Sequence, residues 1–283
     1  MEIAILSGKG GTGKTTIATA LSELIDDVVK IDCDVDAPNL YLFYGGKNIK
    51  SADFSGSKKA VIDEDLCIKC GKCEQFCKFN AIKDCKIDEL SCEGCGSCAL
   101  VCPKDAIRLE DEKSADMYIT ETEKGIIARA QMEIGSDGSG KLITELKKQG
   151  REFAKKDSIV ITDGSPGIGC PVIASIAGSN AIVVVTEPTQ SGLEDLKRVE
   201  ELCEYFGVFT MVCINKFDIN LDMSLKIEEF AKLKNLDIVG KIPYDELVMK
   251  SINELKPIVY YKESKANEAI RDMWSNIKNI IFK

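Results

Sequence analysis

Residues 2–6 (EIAIL) form an apolar run cut short by glycines, the pattern of a buried strand that feeds a loop. Over 14–25 the apolar positions Ile17, Leu21, Leu24 and Ile25 recur at helical spacing, and VVKI (28–31) returns to an unbroken apolar run. The same alternation continues through SIVIT (158–162), AIVVV (181–185), FTMVCI (209–214) and LDIVG (236–240), with helical stretches at 190–206 and 222–234. Strands that are apolar throughout have no face for water. They predict an α/β fold with a mostly parallel, doubly wound sheet covered by helices on both sides. Residues 116–132 predict two strands around a turn near Lys124–Gly125, an antiparallel hairpin at the sheet edge. Over 262–283 a final helix sets Ile270, Met273, Trp274, Ile277 and Ile281 on one side, a stripe suited to packing on the sheet.

Residues 60–110 break this scheme with an internal repeat. IDEDLC (62–67) returns as IDELSC (87–92), and Cys67, Cys70, Cys73, Cys77, Ala81 and Ile82 reappear as Cys92, Cys95, Cys98, Cys102, Ala106 and Ile107. A duplicated module is therefore expected inside the α/β domain, which takes 1–59 and 111–283. The polar flanks SADFSGSKK (51–59) and EDEKSAD (110–116) read as linkers. Each run is C-x2-C-x2-C-x3-C, the bacterial ferredoxin spacing, in which three cysteines hold one [4Fe–4S] cluster and the fourth serves the other. On that pattern Cys67, Cys70, Cys73 and Cys102 hold one cluster, and Cys92, Cys95, Cys98 and Cys77 the other. Structural zinc is the competing reading, and cysteine triplets are rare in its tetrahedral sites. Pro103 follows the second run as the pattern expects, whereas Lys78 follows the first. The isolated Cys33, Cys85, Cys203 and Cys213 are expected to be small buried hydrophobes.

The first apolar run is followed by SGKGGTGKTT, and Gly8 to Thr15 satisfies G-x4-G-K-[ST] between a predicted strand and a predicted helix. In such a loop, backbone amides of Gly8, Lys9, Gly10, Gly11, Thr12, Gly13 and the helix start through Thr16 face the phosphates. Lys14 neutralises the terminal phosphate oxygens, and the Thr15 hydroxyl ligates Mg²⁺. NKFD (215–218) fits N-K-x-D, whose aspartate reads guanine in many GTPases, so ATP and GTP both stay open at this point.

The loop also carries a lysine near its start, in KGGTGKT, and so resembles the MinD, ParA and nitrogenase iron-protein class, closest to MinD-like ATPases with an inserted ferredoxin. The resemblance implies a homodimer in which Lys9 reaches the partner's nucleotide. IDCDVDAPNL (31–40) is similar to the first switch, with Asp34 as the residue that positions the attacking water. ITDGSPGIGCP (161–171) is similar to the second, with Asp163 in the magnesium shell. Asn215 and Lys216, together with Pro243 of IPYD (242–245), then border an adenine. Cys170 lies at the spacing of one intersubunit cluster ligand of the nitrogenase iron protein. No cysteine stands between Cys102 and Cys170 to complete that pair, and a packed side chain is the expectation.

Charge and composition narrow the function. A formal net charge of −9 argues against nucleic acid and anionic membranes as partners. MEIAILSGKG has neither a basic leader nor a spanning run, so a cytoplasmic protein is expected, and there thirteen cysteines point to metal ligation rather than disulfides. The absence of histidine excludes His-ligated zinc, Rieske iron and a His general base. The expected function is an ATPase that couples its nucleotide cycle to electron transfer through two clusters toward an unidentified redox or iron–sulfur partner protein. Two alternatives stand beside it, an iron–sulfur scaffold or carrier and a MinD-like positioning ATPase. No cysteine follows Cys213, which weighs against the carrier, since such proteins place a C-x2-C pair near the C-terminus.

Overall fold

The computed structural model describes residues 1–136 and 138–282. In chain order the strands are β1 (Glu2–Ser7), β2 (Val28–Asp32), β3 (Lys47–Phe54), β4 (Ser57–Ile62), β5 (Ile82–Lys83), β6 (Lys86–Ile87), β7 (Ile107–Glu112), β8 (Ala115–Thr122), β9 (Gly125–Met132), β10 (Ile159–Pro166), β11 (Ala181–Thr186), β12 (Phe209–Asn215) and β13 (Asp237–Ile242). The helices are α1 (Lys14–Glu23), α2 (Lys72–Phe76), α3 (Ser97–Val101), α4 (Gly140–Arg151), α5 (Cys170–Ile176), α6 (Gln190–Tyr205), α7 (Leu221–Leu233), α8 (Glu246–Asn253) and α9 (Lys265–Ile281). The chain divides into two compact units. One comprises Met1–Ser51, Met117–Gln131 and the segment from Gly138 onward; the other comprises Ala52–Asp116 and a segment that begins at Met132.

The first unit is built on a nine-stranded sheet in the order β13-β12-β11-β1-β10-β2-β9-β8-β3 among the described residues. All pairs from β13 to β9 are parallel. The two-fold alternation of side chains explains why its central strands are apolar throughout. Ile3 and Ile5 of β1, Ala181, Val183 and Val185 of β11, and Met211 and Cys213 of β12 face a core shared with Ile17 and Leu21 of α1 and Ile270, Met273 and Ile277 of α9. Their neighbours Ala4, Leu6, Ile182, Val184, Val212 and Ile214 enter a second core, with Val172 of α5, Leu196 and Val199 of α6 and Ile227 of α7. The apolar stripe of α9 is thus spent on the sheet, Ile281 being only partly buried.

Two expectations need correction here, and one helix is added. The hairpin of β8 and β9, joined by two residues as only an antiparallel pair can be, is not at the edge, because β3 lies outside it. The polar flanks are not linkers: 47–54, 57–62 and 107–112 are strands, and β4 pairs with β7 from Ser57↔Glu112 to Ile62↔Ile107. Their side chains are mostly exposed and polar, so the sequence lacks the apolar signal that marks a strand, while the ladder itself is made by the backbone. Helix α4, which the apolar pattern did not single out, is capped by the Ser139 hydroxyl, which accepts from the Leu142 amide at 3.2 Å.

The second unit carries the repeat as a pseudo-two-fold arrangement. Helices α2 and α3 occupy equivalent positions, each starting after a left-handed glycine, Gly71 (φ 70) and Gly96 (φ 79). Ile62 pairs with Ile107 in the β4–β7 ribbon, and Ile82 with Ile87 in the β5–β6 ribbon. The Asp63 amide donates to the Ala106 carbonyl at 2.8 Å, and the Asp88 amide donates to the Ala81 carbonyl at 2.8 Å. Exchanging the two copies maps each of these pairs onto the other, so each half of the repeat is completed by its twin.

One buried ionic knot ties β1 to α4. Glu2 accepts from Arg151 Nε at 2.7 Å and faces Lys147 Nζ at 2.9 Å, while Lys147 also donates to the carbonyls of Ala174 in α5 and Ala177 at its C-terminal end. Burial alone would raise the Glu2 pKa, but Lys147 and Arg151 together outweigh it and the carboxyl sits below its ordinary value. Glu2→Ala should cost about 3–5 kcal/mol in denaturant unfolding, because it strands the Lys147 charge in the interior. The lowered pKa makes this contribution complete above the ordinary glutamate range and lost as pH falls through the folded value. The stability gap between the parent and Glu2→Gln should therefore shrink in acid, which unfolding curves across pH would show.

Candidate functional site

The loop after β1 turns twice through conformations that favour glycine, at Gly11 (φ 77) and Gly13 (φ 94), and delivers Lys14 as the first residue of α1. It is also closely packed. A Cβ on Gly8 would meet Asp195 Cβ at 2.3 Å, and one on Gly13 would meet Asn215 Nδ2 at 2.5 Å, whereas the surroundings of Gly10 are open. Lys14 is buried, and the Thr16 carbonyl accepts from the Thr19 hydroxyl at 2.9 Å. Thr15 Oγ1 donates to Asp163 Oδ2 at 2.6 Å. The other Asp163 oxygen and the Thr12 hydroxyl are buried with no hydrogen-bond partner. Two orphaned polar atoms at the mouth of a glycine loop are what a phosphate and its cation would satisfy.

The carboxylates here are set by strand register. Asp163 on β10 stands level with Ile5 of β1 and with Asp32 of β2. Burial raises the Asp163 pKa to about 6, against the pull of Thr15 and Lys14, and Asp34 pushes it the same way as burial. Burial and then the Asp163 charge drive the Asp32 carboxyl well above its ordinary range. Asp34 is raised chiefly by burial, with Lys14 opposing. A divalent cation among these groups would relieve both burial and mutual repulsion. Asp32, to which sequence reasoning gave no role, organises the segment beside Asp34: it accepts from the Asp34 amide at 3.2 Å and the Leu40 amide at 3.1 Å.

Lys9 points away from its own loop. Its Nζ lies 3.6 Å from Glu187 Oε2 and within 3.3 Å of Ser191 Oγ. Glu187 also takes Lys216 Nζ at 2.6 Å and so holds two lysines, a role sequence reading missed although the residue directly follows β11. Asn215 donates from Nδ2 to the Thr12 carbonyl at 2.8 Å. Asp218 accepts from the Tyr244 amide at 2.7 Å, which joins the NKFD segment to IPYD, where Pro243 is half-buried.

In the second unit one pocket is lined by Cys67, Cys70, Cys73 and Cys102 together with Cys85, and another by Cys77, Cys92, Cys95 and Cys98. Ala81 N–H points at Cys77 Sγ and Ala106 N–H at Cys102 Sγ, each at 3.3 Å, again as twins. Ile62, Ile82, Ile87 and Ile107 form the apolar packing between them. No three ligating side chains among the described residues converge closely enough to hold a single metal ion. Cys33, Cys203 and Cys213 are buried as expected, and burial pushes Cys213 up to about 12. Two isolated cysteines depart from expectation. Cys85 is only half-buried, because it belongs to a pocket wall, and Cys170 is exposed at the first turn of α5, where the short helix turns its start outward.

A parallel sheet with a glycine loop between β1 and α1, and carboxylates at the ends of the neighbouring strands, defines a P-loop nucleotide-binding domain. Residues 3–258 match the family model of the CobQ/CobB/MinD/ParA nucleotide binding domain, and the chain belongs to that family. An uncharacterized protein of Methanocaldococcus jannaschii is 36% identical over 286 residues, covering 99% of this chain and 98% of its own. An uncharacterized ATP-binding protein of the same organism is 29% identical over 98% of this chain and 97% of its own. Among solved structures, the septum site-determining protein MinD of Pyrococcus horikoshii complexed with Mg-ADP superposes with a TM-score of 0.61 at 20% identity, covering 99% of this chain and 96% of that one. No described helix is long and apolar enough to cross a membrane.

Proposed function

We propose that this chain is a homodimeric, Mg²⁺-dependent ATPase whose nucleotide cycle is coupled to electron transfer through two [4Fe–4S] clusters in the second unit, toward a redox or iron–sulfur partner protein. The observation that carries the reading is the pairing, in one chain, of a phosphate loop with orphaned polar atoms and two twin pockets of four motif thiols each. The pocket thiols spread around a void instead of meeting at a point. That suits a cubane, whose irons each take one thiolate, better than zinc, whose sulfurs all stand about 2.3 Å from one ion. When bound, such clusters supply one-electron transfer, and the protein supplies their ligands, apolar walls and the amides of Ala81 and Ala106.

At the other site Lys14 and the loop amides from Gly8 to Thr16 hold the phosphates, and Thr15 and Asp163 hold the magnesium shell. Asp34 orients the attacking water. Lys9 leaves Glu187 to reach the partner's nucleotide, since a lysine kept against Glu187 neutralises nothing on a phosphate. The coupling has a covalent route in this sequence: the segment after Asp34 runs through residues 40–43 and β3 straight into the second unit. The family match also covers positioning ATPases of the MinD type, but Met273, Trp274 and Ile277 are buried and offer no apolar face for a membrane.

ATP is favoured over GTP because one oxygen of the Asp218 carboxylate already accepts from Tyr244, and guanine reading by N-K-x-D needs that carboxylate whole. Calorimetry should give the tighter binding for ATP, and a GTP preference would reverse the assignment. Lys9→Ala should lower hydrolysis by about a thousandfold, the scale of a cation supplied in trans, while nucleotide still binds to single chains. A variant that hydrolyses at the parent rate would end the exchange between protomers. Coupling itself is reciprocal, so Mg-ATP must shift a cluster potential, and reduction must shift ATP affinity by the same free energy. About 1.4 kcal/mol would appear as a tenfold change in ATP affinity, or roughly 60 mV in a one-electron potential. Anaerobic titrations that give the same potentials with and without Mg-ATP would remove electron gating.

A further inference from the structure

The twin pockets differ in one respect. The first, with Cys67, Cys70, Cys73 and Cys102, has a fifth thiol on its wall, that of Cys85, whereas the four motif cysteines supply every thiol on the wall of the second among the described residues. Cys85 shares that wall with Cys67 and Gly71. It is not a product of the duplication, because the repeat places Glu110 at the equivalent position, where the side chain pairs with Arg108 at 2.6 Å. Its backbone is also unusual. Asp84 (φ 50) and Cys85 (φ 58) form the two-residue turn between β5 and β6 in left-handed conformations, which suit asparagine or glycine better than cysteine. The Asp84 amide is pinned by Glu74 Oε2 at 3.2 Å, which fixes the turn against α2. Cys85 is thus held in a conformation of some backbone cost with its side chain on a thiol-lined wall.

We propose that Cys85 is an exchangeable fifth ligand of the first pocket, able to take the iron that Cys67 holds. This rests on the cluster reading above. In the exchange the Cys85 thiol gives up its proton and binds that iron as the Cys67 sulfur leaves, and Cys67 takes up one proton; one iron–sulfur bond forms, one breaks and no electron moves. The first pocket can therefore lose or move one thiolate and keep four-cysteine ligation. The second has no such reserve.

Anaerobic iron analysis and low-temperature electron paramagnetic resonance of the reduced full chain test this. The parent should hold about eight irons per chain, and a parent without iron would refute the cluster reading itself, independently of Cys85. Given that parent, Cys67→Ala should keep about eight irons, with a signal altered by the new ligand, and Cys67→Ala/Cys85→Ala should fall to about four. Cys92→Ala, the twin change in the pocket without a reserve, sets the scale of the loss. The proposal is overturned if Cys67→Ala loses as much iron as Cys92→Ala, or if the double variant keeps as much as Cys67→Ala. A second measurement leaves all eight motif cysteines in place: Cys85→Ala should lose iron from the first pocket to a chelator about tenfold faster than the parent. An unchanged release rate would also overturn it.

Discussion

The parallel ladders that seat β10 between β1 and β2 decide where the charged groups of the nucleotide site stand. Register alone brings Asp163 level with Ile5 on one side and Asp32 on the other, at the ends of the strands that lead into the glycine loop and the Asp34 segment. A slip of one residue would turn Asp163 to the opposite face, away from Thr15. The apolar alternation that holds this register, Ile3 and Ile5 toward one core and Ala4 and Leu6 toward the other, is thus also what aims the chemistry. Stability and site geometry share one cause.

Around that ladder the site is held under electrostatic tension. Asp32, Asp34 and Asp163 are all pushed toward protonation by burial, and the Thr15 hydroxyl and buried Lys14 counter this only in part. A site that is dissatisfied by itself has a ready response to a cation and a phosphate, since binding relieves what folding left strained. Asp32 also anchors the Leu40 amide, which ties the carboxylate cluster to the segment that leads toward β3. The twin architecture of that unit has a similar economy: each pocket borrows its fourth motif cysteine from the other copy, so neither half is complete alone.

Much of this was legible in the residue pattern. Apolar runs located the strands from β1 to β2 and from β10 to β13 because a doubly covered parallel sheet leaves no polar face to blur the signal. The glycine loop was legible because its positive-φ turns and close packing at Gly13 need glycine in fixed places, and the cysteine runs because their spacing and repeat are written in the chain. The strands flanking the repeat were not. The polar stretches 51–59 and 110–116 carry little burial signal, so they read as connectors until the backbone partners of β3, β4 and β7 are known.

What the sequence determined by itself was therefore local: the period of each buried element, the loop that must be glycine, and the spacing of the thiols. Tertiary structure decided the meetings between distant residues. It placed Glu187 between Lys9 and Lys216, gave one oxygen of Asp218 to Tyr244, left Cys170 exposed, and set Cys85 on the wall of one pocket and no counterpart on the other. The physical reason is that a side chain's local spacing fixes which face of its own element it lies on, whereas its partner depends on strand order and turn conformation, which arise only when the whole sheet closes over its two cores.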